Sequence, residues 1–598
     1  WLGQPDGLVL VLALLALALT GPAVYKKGLV ALKNRNLNIN ALMSIAVTGA
    51  VLIGSWAEAA MVMSLFALAE LIEARSLDRV RHAVVSLLNL TPEQVEVQNA
   101  QGQWESQPAQ AVAVGSVVKV LPGERIGLDG LVVAGHSSVN QAPITGESTP
   151  VDKQPGDQVF AGSINGFGEL QFQTQEAYDH SLLVRIALAV QNAQQGQAPV
   201  QRFVDRFAQI YTPVVTLGAL LLALFGPWLF GGATLDWVYK ALVLLVIACP
   251  CALVISTPVA VVSALTRAAR LGMLIKGGVY LEQVRHMRYL ALDKTGTLTL
   301  GQPALHEYWV VDPQQASTLL ATAYALSSRS NHPVSVAVAQ GLKAQVGSYL
   351  DSVGFTAIPG AGVEAQIDGV EWRLGKQSWV QHEATPLQLQ QWVQTQQDKG
   401  ASLVFLGANG VVQAAFAVWD QIKPEVNSAL QQLRQLGVQV EMLSGDQQSA
   451  AQHIAQQIGL EQFQANLLPA DKQRILIERV HTSVTGMVGD GINDAPALAQ
   501  ANIGFAMGAL GSDMAIETAD VTIMNDDLRK IPQLMLLSQH LHIVLLQNIS
   551  VALGIKAVFL IMALTGQVTM WMAVFADVGA SLLVIINSLR LLKKRLKA

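Results

Sequence analysis

Tyr289-Leu-Ala-Leu-Asp293-Lys294-Thr295-Gly296-Thr297-Leu298-Thr299 is a short apolar run that ends on an acidic, glycine-containing loop. The run reads as a β-strand with Asp293 at its carboxyl end. An aspartate so placed can attack a phosphoryl group if magnesium and loop amides balance its charge, and Lys294 and Thr295 stand beside it. By itself the segment would also suit a turn with a solvated Asp. Three further loops argue otherwise. Asp490-Gly-Ile-Asn-Asp494 follows another strand-like run and offers carboxylates suited to a hard octahedral magnesium, through Asp490 with Asp494 in support. Ser444-Gly445-Asp446 closes a third strand and offers a hydroxyl and amides, and Lys472 in Leu-Pro-Ala-Asp-Lys offers a point charge. Strand, Gly/Asp loop and helix, repeated, predict a doubly wound parallel sheet with its ligand at the strand carboxyl ends.

The rest of the chain must account for a composition unlike that of a soluble protein. Of 598 residues, 51% are hydrophobic and 14% charged, against roughly 25% charged in ordinary soluble domains. Mean hydropathy is +0.38. The net charge of −5 gives no basic footprint for nucleic acid, and two cysteines, Cys249 and Cys251, cannot staple a secreted scaffold. Apolar stretches long enough to approach a membrane span fall at 8–25, 38–55, 57–74, 210–230, 238–262, 543–565 and 569–590. Basic clusters (Lys26/Lys27/Lys33/Arg35, Arg75/Arg79/Arg81, Arg202/Arg206, Arg267/Arg270/Lys276 and the final Lys593–Lys597 run) share one side if all seven cross. The expectation is seven spans with both large insertions cytoplasmic. It puts the amino terminus outside, and a chain starting at Trp1 without a signal pattern reads as lacking one or more upstream spans.

The predicted organisation is 1–77 spans one to three, 78–200 a β-rich domain on helical stalks, and 201–276 spans four and five. A doubly wound α/β domain then covers 277–302 and 421–540, interrupted by an inserted α+β domain at 303–420. Residues 541–598 form the last two spans.

Within span five, Cys249-Pro250-Cys251 carries a second chemistry. Pro250 lacks an amide hydrogen and clashes with the carbonyl of Val246, so the helix should break there. In a regular helix, residues two apart point some 200° from one another, so only unwinding lets both sulfurs face one ion. Broken membrane helices line binding sites; the alternative is a structural thiol pair at a kink. Lys556 and Asp577, on the last two spans, are costly in hydrocarbon and are functional candidates for that reason. A structural ion pair is the alternative here too. Two thiolates and a carboxylate carry −3, a divalent ion leaves −1, and Lys556 would offset the remainder as counter-ion. Soft thiolates favour Cu(I), Zn and heavier relatives, and the carboxylate shifts preference to divalent ions. Glu58 near the outer face reads as an exit ligand or an interfacial carboxylate. Met43 could lend a thioether nearby but reads first as lipid-facing, and Glu70 and Glu73 read as polar residues at a helix end.

Taken together, these motifs resemble the P-type ATPases over nearly the whole chain. The resemblance implies a membrane helical bundle with a cytoplasmic β-rich actuator domain, a haloacid-dehalogenase-like phosphorylation domain and an inserted nucleotide-binding domain. It implies ATP and Mg2+ as cofactors and Asp293 as the phosphorylated residue, with Asp293, Thr295 and Asp490 around the magnesium. Thr145-Gly146-Glu147-Ser148 matches the actuator loop, so Glu147 would align water on the aspartyl phosphate; as a bare pattern those four residues read as an ordinary turn. His332-Pro333 and Pro359-Gly360-Ala-Gly362 resemble the adenine-binding features of the heavy-metal branch, although Ser327 stands where that branch usually has Glu. Alone, His332 reads as a helix-start residue. Cys-Pro-Cys with Lys556 and Asp577-Val-Gly579 resembles the zinc/cadmium/lead exporters, which implies export of Zn2+, Cd2+ and Pb2+ and a cytoplasmic metal donor as partner. A copper(I) exporter and a non-transporting membrane phosphohydrolase are the rival readings. The branch and the compact loops point to a bacterial inner membrane.

Overall fold

The structure is a computed structural model that describes residues 6–34, 39–88, 92–141, 150–181, 183–184, 198–346, 350–358, 360–381, 386–490, 494–508 and 517–592. It divides into two units, residues 1–285 with 534–597, and residues 286–533.

The first unit holds the helices α1 (Asp6–Lys33), α2 (Ile39–Leu52), α3 (Trp56–Leu88), α4 (Pro199–Phe230), α5 (Thr234–Ile247) and α6 (Cys251–Arg270). The last two helices are α7 (Lys530–Leu564) and α8 (Met570–Leu589). Seven spans were expected. Among the described residues, five helical stretches are long and apolar enough to cross a membrane: Val11–Lys33, Pro199–Phe230, Thr234–Arg270, Lys530–Ala563 and Met570–Leu592. The other two apolar segments are helices of a different kind. With 14 residues, α2 is only about 21 Å long, short of the ~30 Å hydrocarbon core. In α3 the apolar stretch is the first half of a 33-residue helix that runs on through Arg75, Asp78, Arg79 and Arg81. Both nevertheless pack inside the bundle, where Leu42, Met43, Val47, Val62 and Met63 meet Leu242, Val246 and Val574.

The first insertion is a β domain. One antiparallel sheet runs in the order 104–108, 94–98, 117–120, 170–174, 130–134, 158–159, and a smaller one in the order 151–153, 137–140, 164–165. Val118, Ile126, Leu128, Leu170 and Phe172 form its core.

In the second unit, β1 (Met287–Asp293), β2 (Gln439–Leu443), β3 (Phe463–Gln464), β4 (Val484–Gly489), β5 (Ile503–Met507) and β6 (Val521–Ile523) lie parallel in the order β6-β5-β4-β1-β2-β3. The order reverses beside β1, which is where a doubly wound sheet opens its ligand crevice. β1 is apolar on both faces because both are covered; Tyr289, Leu290, Ala291 and Leu292 are buried.

The inserted domain is an antiparallel sheet in the order 299–310, 411–422, 402–408, 370–375, 362–367, 353–358. Asp368-Gly369 and Asn409-Gly410, with φ of 51°, 79°, 52° and 80°, make the tight two-residue turns that set its hairpins. Its first and last strands, Thr299–Val310 and Val411–Ile422, pair with each other and run unbroken from the phosphorylation domain into the insertion. Asp420 straps them together by accepting the backbone N–H groups of Gly301 and Gln302, each at 3.0 Å.

Candidate functional site

At the crevice, β1 delivers Asp293 and β4 delivers Asp490. Asp494 lies against Gly489, where a side chain on the glycine would collide with it. Oxygens of Asp293, Asp490 and Asp494 lie within 4.8 Å of one another. Lys472 is buried among them, paired with Asp293 and 2.8 Å from Oδ1 of Asp494. Burial, and then the charge of Asp494, push the Asp293 carboxyl up to about 7 despite Lys472. Asp490 rises to about 6 for the same two reasons in the same order. Burial alone would lower Lys472, but Asp293 and Asp494 outweigh it and hold its ammonium above the ordinary lysine range. Three carboxylates against one ammonium leave about two negative charges when all are ionised. That all-oxygen, electron-rich cluster fits a magnesium ion.

The loop after Asp293 is shaped for this cluster. Gly296 has φ of +69°, and a Cβ there would run into the Asp490 carboxylate. Its carbonyl accepts from Nζ of the buried Lys423 at 2.6 Å. Burial lowers the pKa of Lys423, and Asp526 opposes that first among several carboxylates. Thr297 is fully buried with its hydroxyl unpartnered, whereas Thr295 is exposed. Lys294 pairs with Asp446, and Ser444 Oγ accepts the Asp446 N–H at 3.1 Å, which fixes that loop over the crevice.

A cleft of about 1070 Å³ opens beside the cluster, lined by Lys294, Thr295, Asp446, Asp420, Lys376 and Lys399 among others. His332, Gly360 and Gly362 do not line it. They flank one face of the inserted sheet, where helix Pro333–Leu342 and the strand beginning at Gly362 share the core of Ala337, Val338, Val363 and Ala365. Lys376, which lines the cleft, donates its backbone N–H to the carbonyl of Ala361, between the two glycines, at 2.9 Å. Thr145, Gly146, Glu147 and Pro359 lie outside the described residues.

In the membrane bundle, the helix does break at the proline, with α5 ending at Ile247 and α6 starting at Cys251. The two cysteines, with Cα atoms 5.5 Å apart, are joined to each other as a disulfide. The sequence reading treated them as two separate thiols. Unwinding brings the sulfurs not only to one side but into bonding contact, and a metal-binding form requires the pair reduced. One ligand atom each of Cys249, Cys251 and Asp577 lies within 4.8 Å of the others. Lys556 donates to Oδ1 of Asp577 at 2.9 Å. A cavity of about 340 Å³ is lined by both cysteines and Asp577, and by Met43, Asn40, Glu70 and Lys27 among others.

Met43 is 3% exposed and forms part of the cavity wall, because α2 is enclosed by its neighbours rather than facing lipid. Glu70 also lines the cavity and pairs with Lys27; a helix-end position does not show which neighbour a side chain meets. Glu58 is outside this cavity and accepts from the Tyr239 hydroxyl at 2.7 Å.

Comparison with known proteins agrees with this geometry. Residues 89–191 match the P-type ATPase actuator domain, and residues 287–502 match the haloacid dehalogenase-like hydrolases. A probable cadmium-transporting ATPase of Alkalihalophilus pseudofirmus is 39% identical over 99% of this chain and 83% of its own length. The chain is a P-type ATPase. A zinc/cadmium/lead-transporting P-type ATPase of Escherichia coli K12 is 38% identical to it over 93% of this chain and 75% of that one. The crystal structure of a zinc-transporting PIB-type ATPase in the E2.Pi state superposes with a TM-score of 0.65 at 36% identity, covering 98% of this ATPase and 94% of that chain. ATP and Mg2+ are accordingly the ATPase's cofactors. The sequence does not single out Lys423 or Tyr239, and it shows Lys27 only as part of a basic cluster. For Lys423 a signal existed: a lysine directly after the strand that re-enters the phosphorylation domain.

Proposed function

We propose that this ATPase exports divalent soft metal ions, zinc with cadmium and lead as further substrates, out of the cytoplasm across a bacterial inner membrane. The observation that carries the reading is the convergence of Cys249, Cys251 and Asp577 on one cavity with Lys556 on the carboxylate. With two thiolates, one carboxylate and one ammonium, the site carries −2, which a divalent ion neutralises and Cu+ does not. Relatives named for cadmium, zinc and lead support the same choice.

In the proposed cycle the ion enters along Glu70 and Met43 and binds the reduced cysteines and Asp577. ATP lies in the 1070 Å³ cleft, with its adenine toward His332, Gly360 and Gly362. Asp293, ionised and aimed by the end of β1, attacks the γ-phosphorus as its bond to the β,γ-bridging oxygen breaks and ADP leaves, while Lys472, Lys294 and the Ser444–Asp446 loop hold the phosphate oxygens. Asp293, Thr295 and Asp490 would hold magnesium, supported by Asp494; bound there it neutralises the phosphate charge that develops during transfer. Glu147 then orients the water that cleaves the aspartyl phosphate, and Glu58 receives the ion on the exit side. Phosphorylation must bias the membrane site by several kcal/mol to reverse its access.

ATPase assays with zinc, lead and reduced copper, each with a chelator control, test the reading. Stimulation by zinc and lead is expected. Stimulation by copper alone would overturn the divalent assignment, and metal-independent hydrolysis would return the phosphohydrolase reading.

A further inference from the structure

The break at Pro250 leaves backbone acceptors without helical partners. Leu253 would normally donate to the carbonyl of Cys249, but its N–H turns to Pro250 instead, at 3.1 Å. Ile247 is the last residue of α5. Within a bilayer such carbonyls find no water and must be satisfied by the protein. Nζ of Lys556 meets both of them. It donates to the carbonyl of Ile247 at 3.1 Å, to the carbonyl of Cys249, and to Oδ1 of Asp577 at 2.9 Å. An ammonium has three donors and no acceptor, so every N–H is used.

We propose that Lys556 is a positioning residue as well as a counter-ion: it caps the broken helix and so fixes the Cys-Pro-Cys turn that sets the two sulfurs side by side. One ammonium thereby ties the Asp577 carboxylate to the backbone presenting the thiolates. The inference rests on the metal-transport reading of this site. It differs from charge balance in what it predicts once the carboxylate is gone. In an Asp577→Asn background the two thiolates alone neutralise a divalent ion, so a pure counter-ion has no excess negative charge of the loaded site left to balance, and its positive charge only opposes a cation at the cysteines. Removing it should then leave cadmium binding unchanged or tighter. A helix cap is needed whether or not the carboxylate is present, so its removal should weaken binding.

The test uses the full chain, reduced, in lipid nanodiscs, titrated with cadmium and followed by the thiolate-to-cadmium charge-transfer absorption. Relative to Asp577→Asn alone, adding Lys556→Met should weaken apparent cadmium affinity by at least about tenfold. Adding Lys556→Gln, whose neutral amide keeps two donors for the two carbonyls, should recover most of that loss. Unchanged or tighter binding in the Met variant overturns the proposal. So does a Gln variant that behaves like the Met one, including both failing to elute as folded protein. A Met variant that fails to fold where the Gln variant folds supports the cap. A wild-type chain with no cysteine-dependent cadmium band would sink the transport reading itself, and this inference with it.

Discussion

Replacing Lys472 by Met tests the electrostatics of the phosphorylation site most sharply. Lys472 touches two members of a cluster whose oxygens lie within 4.8 Å of one another. An ion pair with charge centres about 4 Å apart interacts by about 4 kcal/mol at an effective dielectric of about 20. If relaxation recovers about half, losing the lysine raises the Asp293 carboxyl by roughly 1–2 pK units beyond its present value of about 7. Only the ionised carboxylate is a nucleophile, and it predominates above its pKa. At neutral pH the ionised fraction therefore falls from about one half to between about one tenth and one hundredth, a roughly five- to fiftyfold slower transfer. The assay is single-turnover phosphorylation from γ-labelled ATP, at limiting magnesium, across a pH series. The deficit should shrink toward about pH 9, as the variant's carboxyl ionises. A rate within twofold of wild type at neutral pH, or a deficit that does not change with pH, would refute the reasoning.

Other outcomes follow from the same geometry. Gly296→Ala must adopt a φ of +69° and collide with Asp490, so labelling of the enzyme from γ-labelled ATP should be lost. Because folding raises Asp293 and Asp490 to about 7 and about 6, the folded state holds protons that the unfolded chain has released. Stability of the magnesium-free protein should therefore fall as pH rises through that range, and magnesium should raise the melting temperature more at about pH 8 than at about pH 5. A magnesium effect that is larger in acid would contradict the cluster's charge. Oxidation that closes the Cys249–Cys251 disulfide should abolish metal-stimulated ATP hydrolysis, and thiol reductant should restore it. Glu70→Ala should raise the KM for metal several-fold with little change in kcat, since Glu70 lines the passage without touching the cysteines' ion.

The sequence was most informative where chemistry is local. The loops at 293–299, 444–446 and 490–494 each carry their own strand, turn and polar groups, so their shared crevice could be inferred from strand–loop–helix repetition. Lys472 was legible as a cation, but not its seat between Asp293 and Asp494. Lys423 reaches the Gly296 carbonyl across 127 positions of chain, and no short pattern joins residues so far apart. The membrane bundle shows the same divide. Pro250 announces the broken helix because its missing N–H is a local fact. Apolar length, however, did not reveal that α2 is short or that α3 continues unbroken into a charged second half. Nor does periodicity place Lys27 on Glu70 or Tyr239 on Glu58, pairings set by how the helices cross.

Metal uptake into inside-out vesicles decides the central claim most directly. ATP should drive zinc or cadmium accumulation in vesicles carrying the wild-type chain, with none for Asp293→Asn or Cys249→Ala. Accumulation that survives either substitution, or ATP hydrolysis with no movement of metal, would contradict a pump in which an aspartyl phosphate controls the cysteine-lined site.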